Sequence, residues 1–234
     1  MPPETAARPA DVVCLTGVHH RFGRQQVLKG IDLTVRRGEC VVLYGSNGSG
    51  KSTLLALLST RYALRQGSYL LDGLDTTRHG DEARDRLVFV GHHTHLYGHL
   101  TPVENLRFFA DLRTLSPSEA RLREAVAEVG LARVADKPSR WFSAGMRKRL
   151  ALARMLLANP SLLLLDEPYS ALDAQGVAWL NAMLIRFQEN GGAVVMASHD
   201  PERVAALRHL PHHLDRGILT PAPPPPRIEE PPSC

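Results

Sequence analysis

The chain has 234 residues, 44% of them hydrophobic, with 28 Lys and Arg against 24 Asp and Glu. That is enough apolar material for one sizeable α/β core, while a formal net charge of only +4, dispersed along the chain, argues against a nucleic-acid partner. No apolar run approaches the roughly 20 residues that span a bilayer, because Arg154, Asn159 and Pro160 interrupt the richest one, so any membrane has to be met through partners. Residues 1–11 and 220–234, the latter holding Pro223-Pro224-Pro225-Pro226, read as disordered or polyproline tails. Met1-Pro2-Pro3-Glu4 lacks the charged and apolar regions of a secretory signal, and Cys14, Cys40 and Cys234 form no Cys-x-x-Cys spacing, which fits a reduced cytosolic protein.

Residues 12–91 are expected to hold an antiparallel patch, around the neighbours of Val41 to Tyr44, together with the start of an α/β core. Its centre is Gly45-Ser46-Asn47-Gly48-Ser49-Gly50-Lys51-Ser52, placed between the apolar run Cys40 to Tyr44 and the helix-forming run Thr53 to Leu58. This is a complete phosphate-binding loop in a strand-loop-helix setting. The glycines let successive N–H groups turn inward around a polyphosphate, and the helix presents its positive dipole end to the same anion. Lys51 is expected to reach the β- and γ-phosphates and Ser52 to ligate Mg²⁺.

Beyond Val88-Phe89-Val90-Gly91, the segment from about His92 to Trp141 is helix-rich. Helices are predicted over Pro102 to Leu112 and over Ser118 to Val129, with Ser118 as cap and Gly130 as stop. His92, His93, His95 and His99 share one short loop, but without arranged partners they read as a polar, partly exposed connection. Phe142-Ser143-Ala144-Gly145-Met146 then precedes the basic stretch Arg147-Lys148-Arg149, which is explained as a solvated helix face or a patch near phosphate. Leu162 to Leu165 read as a fully buried parallel strand ending in Asp166-Glu167-Pro168. Asp166 would hold Mg²⁺, through water, and Glu167 would be the general base that polarises the attacking water. Ser170-Ala171-Leu172-Asp173 follows, and a further apolar run, Ala193 to Ala197, leads to Ser198-His199-Asp200.

Taken together and in this order, these motifs resemble the ATP-binding cassette (ABC) family over about Val12 to Leu219. The resemblance implies a P-loop NTPase of α/β class, with a mainly parallel core sheet, an antiparallel β subdomain and a helical insert at about 92–141. It also implies ATP, with Thr53 beside the P-loop and Phe22 stacking on adenine. Ser143, Ala144 and Gly145 stand at the family's signature, where Ser143 and Gly145 would donate to the γ-phosphate bound by the other subunit. Ala144 and Met146 replace the commoner Gly and Gln. Asp173 falls in the loop along the dimer interface, and His199 at the histidine that contacts the γ-phosphate. His92 stands where most cassettes carry Gln. That histidine, with Gly45-Ser46-Asn47-Gly48, Ser143-Ala144-Gly145 and Gly176-Val177-Ala178 after Asp173, is similar to the haem-exporter branch of the family that serves cytochrome c maturation.

The function so implied is an ATP-hydrolysing motor on the cytoplasmic face of the inner membrane. Its partners would be polytopic membrane subunits and a second ATP-binding subunit, since no internal repeat supplies two half-sites. The alternatives are the ATPase of another exporter, for lipid, drug or polysaccharide, and a soluble cassette ATPase. The latter usually carries a coiled-coil insertion or a second fused cassette, and this chain has neither. A regulator without hydrolysis is disfavoured by the presence of Lys51, Asp166, Glu167 and His199.

Overall fold

A computed structural model describes residues 10–223. In chain order the elements are β1 (Asp11–Phe22), β2 (Gln25–Arg36), β3 (Cys40–Tyr44), α1 (Lys51–Leu58), β4 (Gln66–Leu71), β5 (Leu74–Asp75), α2 (Gly80–Asp85) and β6 (Leu87–Val90). They continue with α3 (Pro102–Leu112), α4 (Glu119–Glu128), α5 (Ala144–Ala158), β7 (Leu162–Asp166), α6 (Ala174–Glu189), β8 (Ala193–Ala197), α7 (Pro201–Val204), β9 (Leu210–Asp215) and β10 (Ile218–Pro221). A four-stranded sheet, β2-β1-β4-β5, is antiparallel, and a six-stranded sheet runs β10-β9-β3-β8-β7-β6 with only β10 antiparallel to its neighbour.

Alternation along the parallel strands decides which residue meets which layer. On β7, Leu162 and Leu164 join the core that contains α1, whereas Leu163 and Leu165 join the one built with α5 and α6. Strand β3 divides the same way, Val41 and Leu43 to one face and Cys40 and Val42 to the other, and so does β8. Both faces are covered, which is why these strands read as unbroken apolar runs. Helix α1 is apolar around its circumference for the same reason. Its Leu54, Leu55, Leu57 and Leu58 share one core with residues of both sheets, each such burial being worth about 1.5–3 kcal/mol.

A third core lies apart from the sheets, among Val103 and Leu106 of α3, Leu122, Ala125 and Val126 of α4, and Leu150 and Ala153 of α5. Local signals set its helices. Thr101 and Glu104 form a reciprocal capping box with Pro102 in the first turn of α3, Ser118 caps α4 by accepting from the Arg121 N–H at 3.2 Å, and Gly130 ends it at φ 75°.

Three boundaries differ from expectation. The strands beside Val41 to Tyr44, β8 and β9, pair parallel with β3, the antiparallel sheet being built from β1, β2, β4 and β5. Ala10 and Asp11 are ordered, Asp11 opening β1 opposite Arg36. Thr220 and Pro221 belong to β10, paired with His213 and His212. Composition marks a tail there because of the prolines, but β10 is an edge strand, where a missing N–H costs no ladder bond. The expected tails over residues 1–9 and 224–234, Cys234 included, fall outside the described residues.

Candidate nucleotide-binding site

The order β3-β8-β7-β6 places four strand ends side by side, and each carries a predicted motif. The P-loop follows β3, Ser198-His199 follows β8, Asp166-Glu167 closes β7 and Gly91-His92 follows β6. Strands about 4.8 Å apart in parallel register bring residues distant in sequence to one edge, the C-terminal edge where open α/β sheets take ligands. The register fixes this alignment: Leu43 and Asp166 both pair with Ala197, and Val90 pairs with Leu165.

The P-loop is a tight cradle. Gly45 has φ 146°, and a Cβ there would lie 2.2 Å from the Leu214 carbonyl oxygen, so only glycine fits. Lys51 Nζ donates to the Gly45 and Ser46 carbonyls at 2.7 and 3.1 Å, which holds the ammonium over the loop. Ser49 Oγ is buried beside Gly45 with no hydrogen-bond partner among the described residues. Ser46, Asn47, Gly48 and Ser52 are exposed, with Gly50 and Thr53 half-buried at the start of α1. The loop therefore offers backbone N–H groups, a cation, an unspent hydroxyl and a helix N-terminus, which is the donor set for a polyphosphate.

Opposite it, Glu167 adopts a left-handed φ of 49°, uncommon for a residue with a side chain. Its N–H donates to the Ala197 carbonyl at 3.1 Å, and its Oε2 accepts from His199 Nδ1 at 2.8 Å. A carboxylate only accepts, so the imidazole proton sits on Nδ1. His199 is largely exposed and Glu167 about three-quarters covered, so the pair lies at the surface of the sheet edge. Asp166, half-buried, is the last residue of β7.

The remaining predicted residues are held by their own surroundings. Ser143 caps α5, its Oγ accepting from the Met146 N–H at 3.2 Å, and Ser143 and Ala144 are exposed. Gly145 lies against the loop before α6, where a Cβ would come within 3.0 Å of the Ala171 carbonyl oxygen. Asp173 caps α6 by accepting from the Gly176 N–H at 2.8 Å. Among the described residues, the hydrogen bonds of Ser143 and Asp173 stay within their own helix starts and do not reach the P-loop. Phe22 ends β1 at 47% exposure, so it is no core residue. It stands edge-on to His20 and Tyr62, with centroids 4.8 and 5.4 Å away. His92 is exposed with its ring 5.4 Å from that of His93, and burial, followed by the charges of Arg61 and Arg154, holds His95 below the usual histidine range.

Sequence reasoning missed three features. Tyr62 stacks on His20 at 5.0 Å beside Phe22, and nothing local marks it. Arg203 on α7 ties the two loops flanking the Glu167–His199 pair, through Asp200 Oδ2 at 2.9 Å and the Tyr169 carbonyl at 2.7 Å. Lys148 is buried, not on a solvated face. A signal for it exists: Lys148 shares a helical stripe with Ala151, Leu152 and Met155, all buried, at i, i+3, i+4 and i+7.

The profile of the ABC transporter family matches residues 28–170, more than half of the chain. The chain therefore belongs to the ABC transporter family, as one of its ATP-hydrolysing subunits. Within the family it is similar to the cytochrome c biogenesis ATP-binding export protein CcmA of several bacteria. It is 37% identical to that of Methylococcus capsulatus over 187 residues, 80% of this chain and 90% of the relative. It is 40% identical to that of Pseudomonas savastanoi pv. phaseolicola over 179 residues, covering 76% and 83%, and 36% identical to that of Escherichia coli over 179 residues, covering 76% and 84%. Among solved structures it resembles an ATP-binding subunit of an ABC transporter, with a TM-score of 0.82 at 25% identity over 89% and 88% of the two chains. It also resembles the cassette MJ0796, a dimer bound to ADP and Pi in a post-hydrolysis state, with a TM-score of 0.80 at 26% identity over 88% and 96%. No helix among the described residues is long and apolar enough to cross a membrane.

Proposed function

We propose that this chain is the ATP-hydrolysing subunit of a haem-exporting transporter of cytochrome c biogenesis. In this reading it works as a homodimer docked on polytopic membrane subunits at the cytoplasmic face of the inner membrane. The observation that carries the proposal is the 36–40% identity to export proteins of that pathway over three-quarters or more of this chain.

The residues at the sheet edge support a division of labour. The loop from Gly45 to Thr53 binds the phosphates of ATP, with Lys51 supplying charge at the β- and γ-phosphates. Ser52 and Asp166 offer a hydroxyl and a carboxylate, hard oxygen donors that suit Mg²⁺. Among the described residues no three His, Cys, Asp or Glu are grouped to hold a metal, which suits an ion that takes most of its ligands from phosphate and water. When bound, Mg²⁺ would offset negative charge on the transferring phosphoryl group. Glu167 accepts the proton of the attacking water as the bond between the γ-phosphorus and its bridging oxygen breaks, and His199, already bonded to Glu167, orients that carboxylate.

Phe22, exposed at the end of β1, would stack on the adenine. Ser143 and Gly145, with Ala144 between them, would meet the γ-phosphate held by the partner subunit, and Asp173 would line the interface. The described portion of the segment at about 92–141, with its own core around α3 and α4, is the docking unit for membrane helices. His92, at the root of that segment, would sense the γ-phosphate side in place of the usual amide. ATP binding closes two such subunits and hydrolysis opens them, because ATP has a higher affinity for the closed pair.

The test is a haem-stained gel of membrane fractions from a strain lacking the gene and from one carrying Lys51→Ala. Covalent c-type cytochromes are expected to vanish from both while b-type haem proteins persist. Normal c-type bands in both strains would discard the haem pathway and leave the general exporter reading in place.

A further inference from the structure

Lys148 sits in a run of three basic residues, yet only 3% of it is exposed. Arg147 and Arg149 on either side are half-buried, and Lys148 alone of the three packs inward, on the stripe of α5 that continues into Ala151, Leu152 and Met155. It makes no ion pair among the described residues. Its Nζ donates instead to two backbone carbonyls, that of Gly91 at 3.4 Å and that of Glu167 at 3.3 Å. Burying an ammonium against carbonyls alone is costly, and an apolar side chain of the same length commonly serves stability as well or better.

The two carbonyls belong to different parts of the machine. Gly91 follows β6 and precedes His92, where the chain leaves the sheet for α3 and α4. Glu167 is the left-handed residue whose side chain is bonded to His199. Lys148 itself rides on α5, whose first turn is capped by Ser143 and whose Leu150 and Ala153 pack into the core of α3 and α4. An ammonium has three donors that can be directed to separate acceptors, so one side chain can join all three parts.

We propose that Lys148 is a positioning residue that ties the Gly91-His92 junction to the backbone of Glu167, so that a shift of the helical segment is transmitted to the carboxylate of the ATPase site. This rests on the reading of Glu167 as the general base. Burial pushes the Lys148 amine below its usual range, and the nearby carboxylates of Asp166 and Glu167 oppose that push.

The test compares Lys148→Met, which keeps length and apolar contact but loses every donor, with Lys148→Gln, which keeps two N–H donors without charge. Both are made in the full chain assembled with its membrane subunits. ATP hydrolysis, the affinity for a fluorescent ATP analogue and the thermal midpoint are then measured. Lys148→Met is expected to lower kcat at least about tenfold while KM and analogue affinity change by less than about twofold and the thermal midpoint does not fall. Lys148→Gln is expected to recover at least about a third of the lost turnover. In a Glu167→Gln background, Lys148→Met should add less than about twofold, because residues acting as one unit are not additive.

A kcat for Lys148→Met within twofold of the parent, or parallel losses of turnover, affinity and midpoint in both variants, would overturn the positioning role. If Lys148→Met does not fold, Lys148→Gln decides alone, and a turnover loss matched by an equal loss of affinity rejects the proposal. Near-normal hydrolysis in Glu167→Gln by itself would remove the base assignment, an outcome read independently of the Lys148 single variants.

Discussion

The edge of the parallel sheet and the helix ends of the segment between β6 and α5 obey opposite rules. At the ends of the helices α3 and α4 local chemistry and observed structure agree: the Thr101–Glu104 capping box, Pro102 in the first turn, Ser118 as cap and Gly130 at positive φ, with left-handed side-chain residues confined to the connections, at His95 and Thr114. At the sheet edge local preference is overridden. Glu167 and Ala171 are left-handed at φ 49° and 63°, and Lys148 is buried in an apolar stripe. The difference teaches where strain is tolerated. Helix ends use residues that favour their shape, whereas at the sheet edge unfavourable local geometry is held by surrounding main-chain hydrogen bonds, as is expected of a site that aims its side chains.

This contrast can be broken first at Glu167. Glu167→Gln keeps the shape of the side chain and removes proton acceptance, so turnover should fall at least about a hundredfold while ATP binding and thermal stability are retained. Steady-state hydrolysis and a binding titration of the assembled complex measure both, and near-normal turnover would end the role of Glu167 as base.

The second test strikes the other region. Leu106 is fully buried in the core shared by α3, α4 and α5, and Leu106→Ala should destabilise by about 2–5 kcal/mol. Because that core is separate from the strand ends, ATP affinity below the unfolding transition should stay within about twofold of the parent. A large loss of ATP affinity at full foldedness would mean that the two regions are not separable. The smallest expected effect is at a helix cap. Ser118→Ala removes the acceptor for the Arg121 N–H and should cost about 1 kcal/mol, read as a shift in denaturation midpoint with unchanged turnover. A turnover change there would place α4 inside the catalytic cycle instead of in its support.

Much of the fold was legible along the chain. Four buried leucines in a row can only be a strand covered on both faces or a fully buried helix segment, and their length and the acidic pair that follows decide for the strand. The P-loop is legible because its chemistry is contiguous: one stretch supplies the turn, the donors, the cation and the hydroxyl. The boundaries at Asp11 and at Thr220-Pro221 were not, because pairing with Arg36 and with His212 and His213 overrides composition at a sheet's edge.

The sequence by itself determined the class of the protein, the candidate phosphate-binding loop and the order in which its other motifs recur, since each is a short contiguous pattern that needs no distant partner to be recognised. The helical segment belongs to the same category, its caps and stops being local hydrogen bonds. Only the tertiary structure decided that Glu167 bonds to His199, that Arg203 spans Asp200 and Tyr169, and that Lys148 reaches Gly91 and Glu167. The reason is geometric. Strand order β3-β8-β7-β6 follows from how two sheets and their helices share their cores, and only once that order is set do residues 19 to 57 positions apart come within a hydrogen bond of one another.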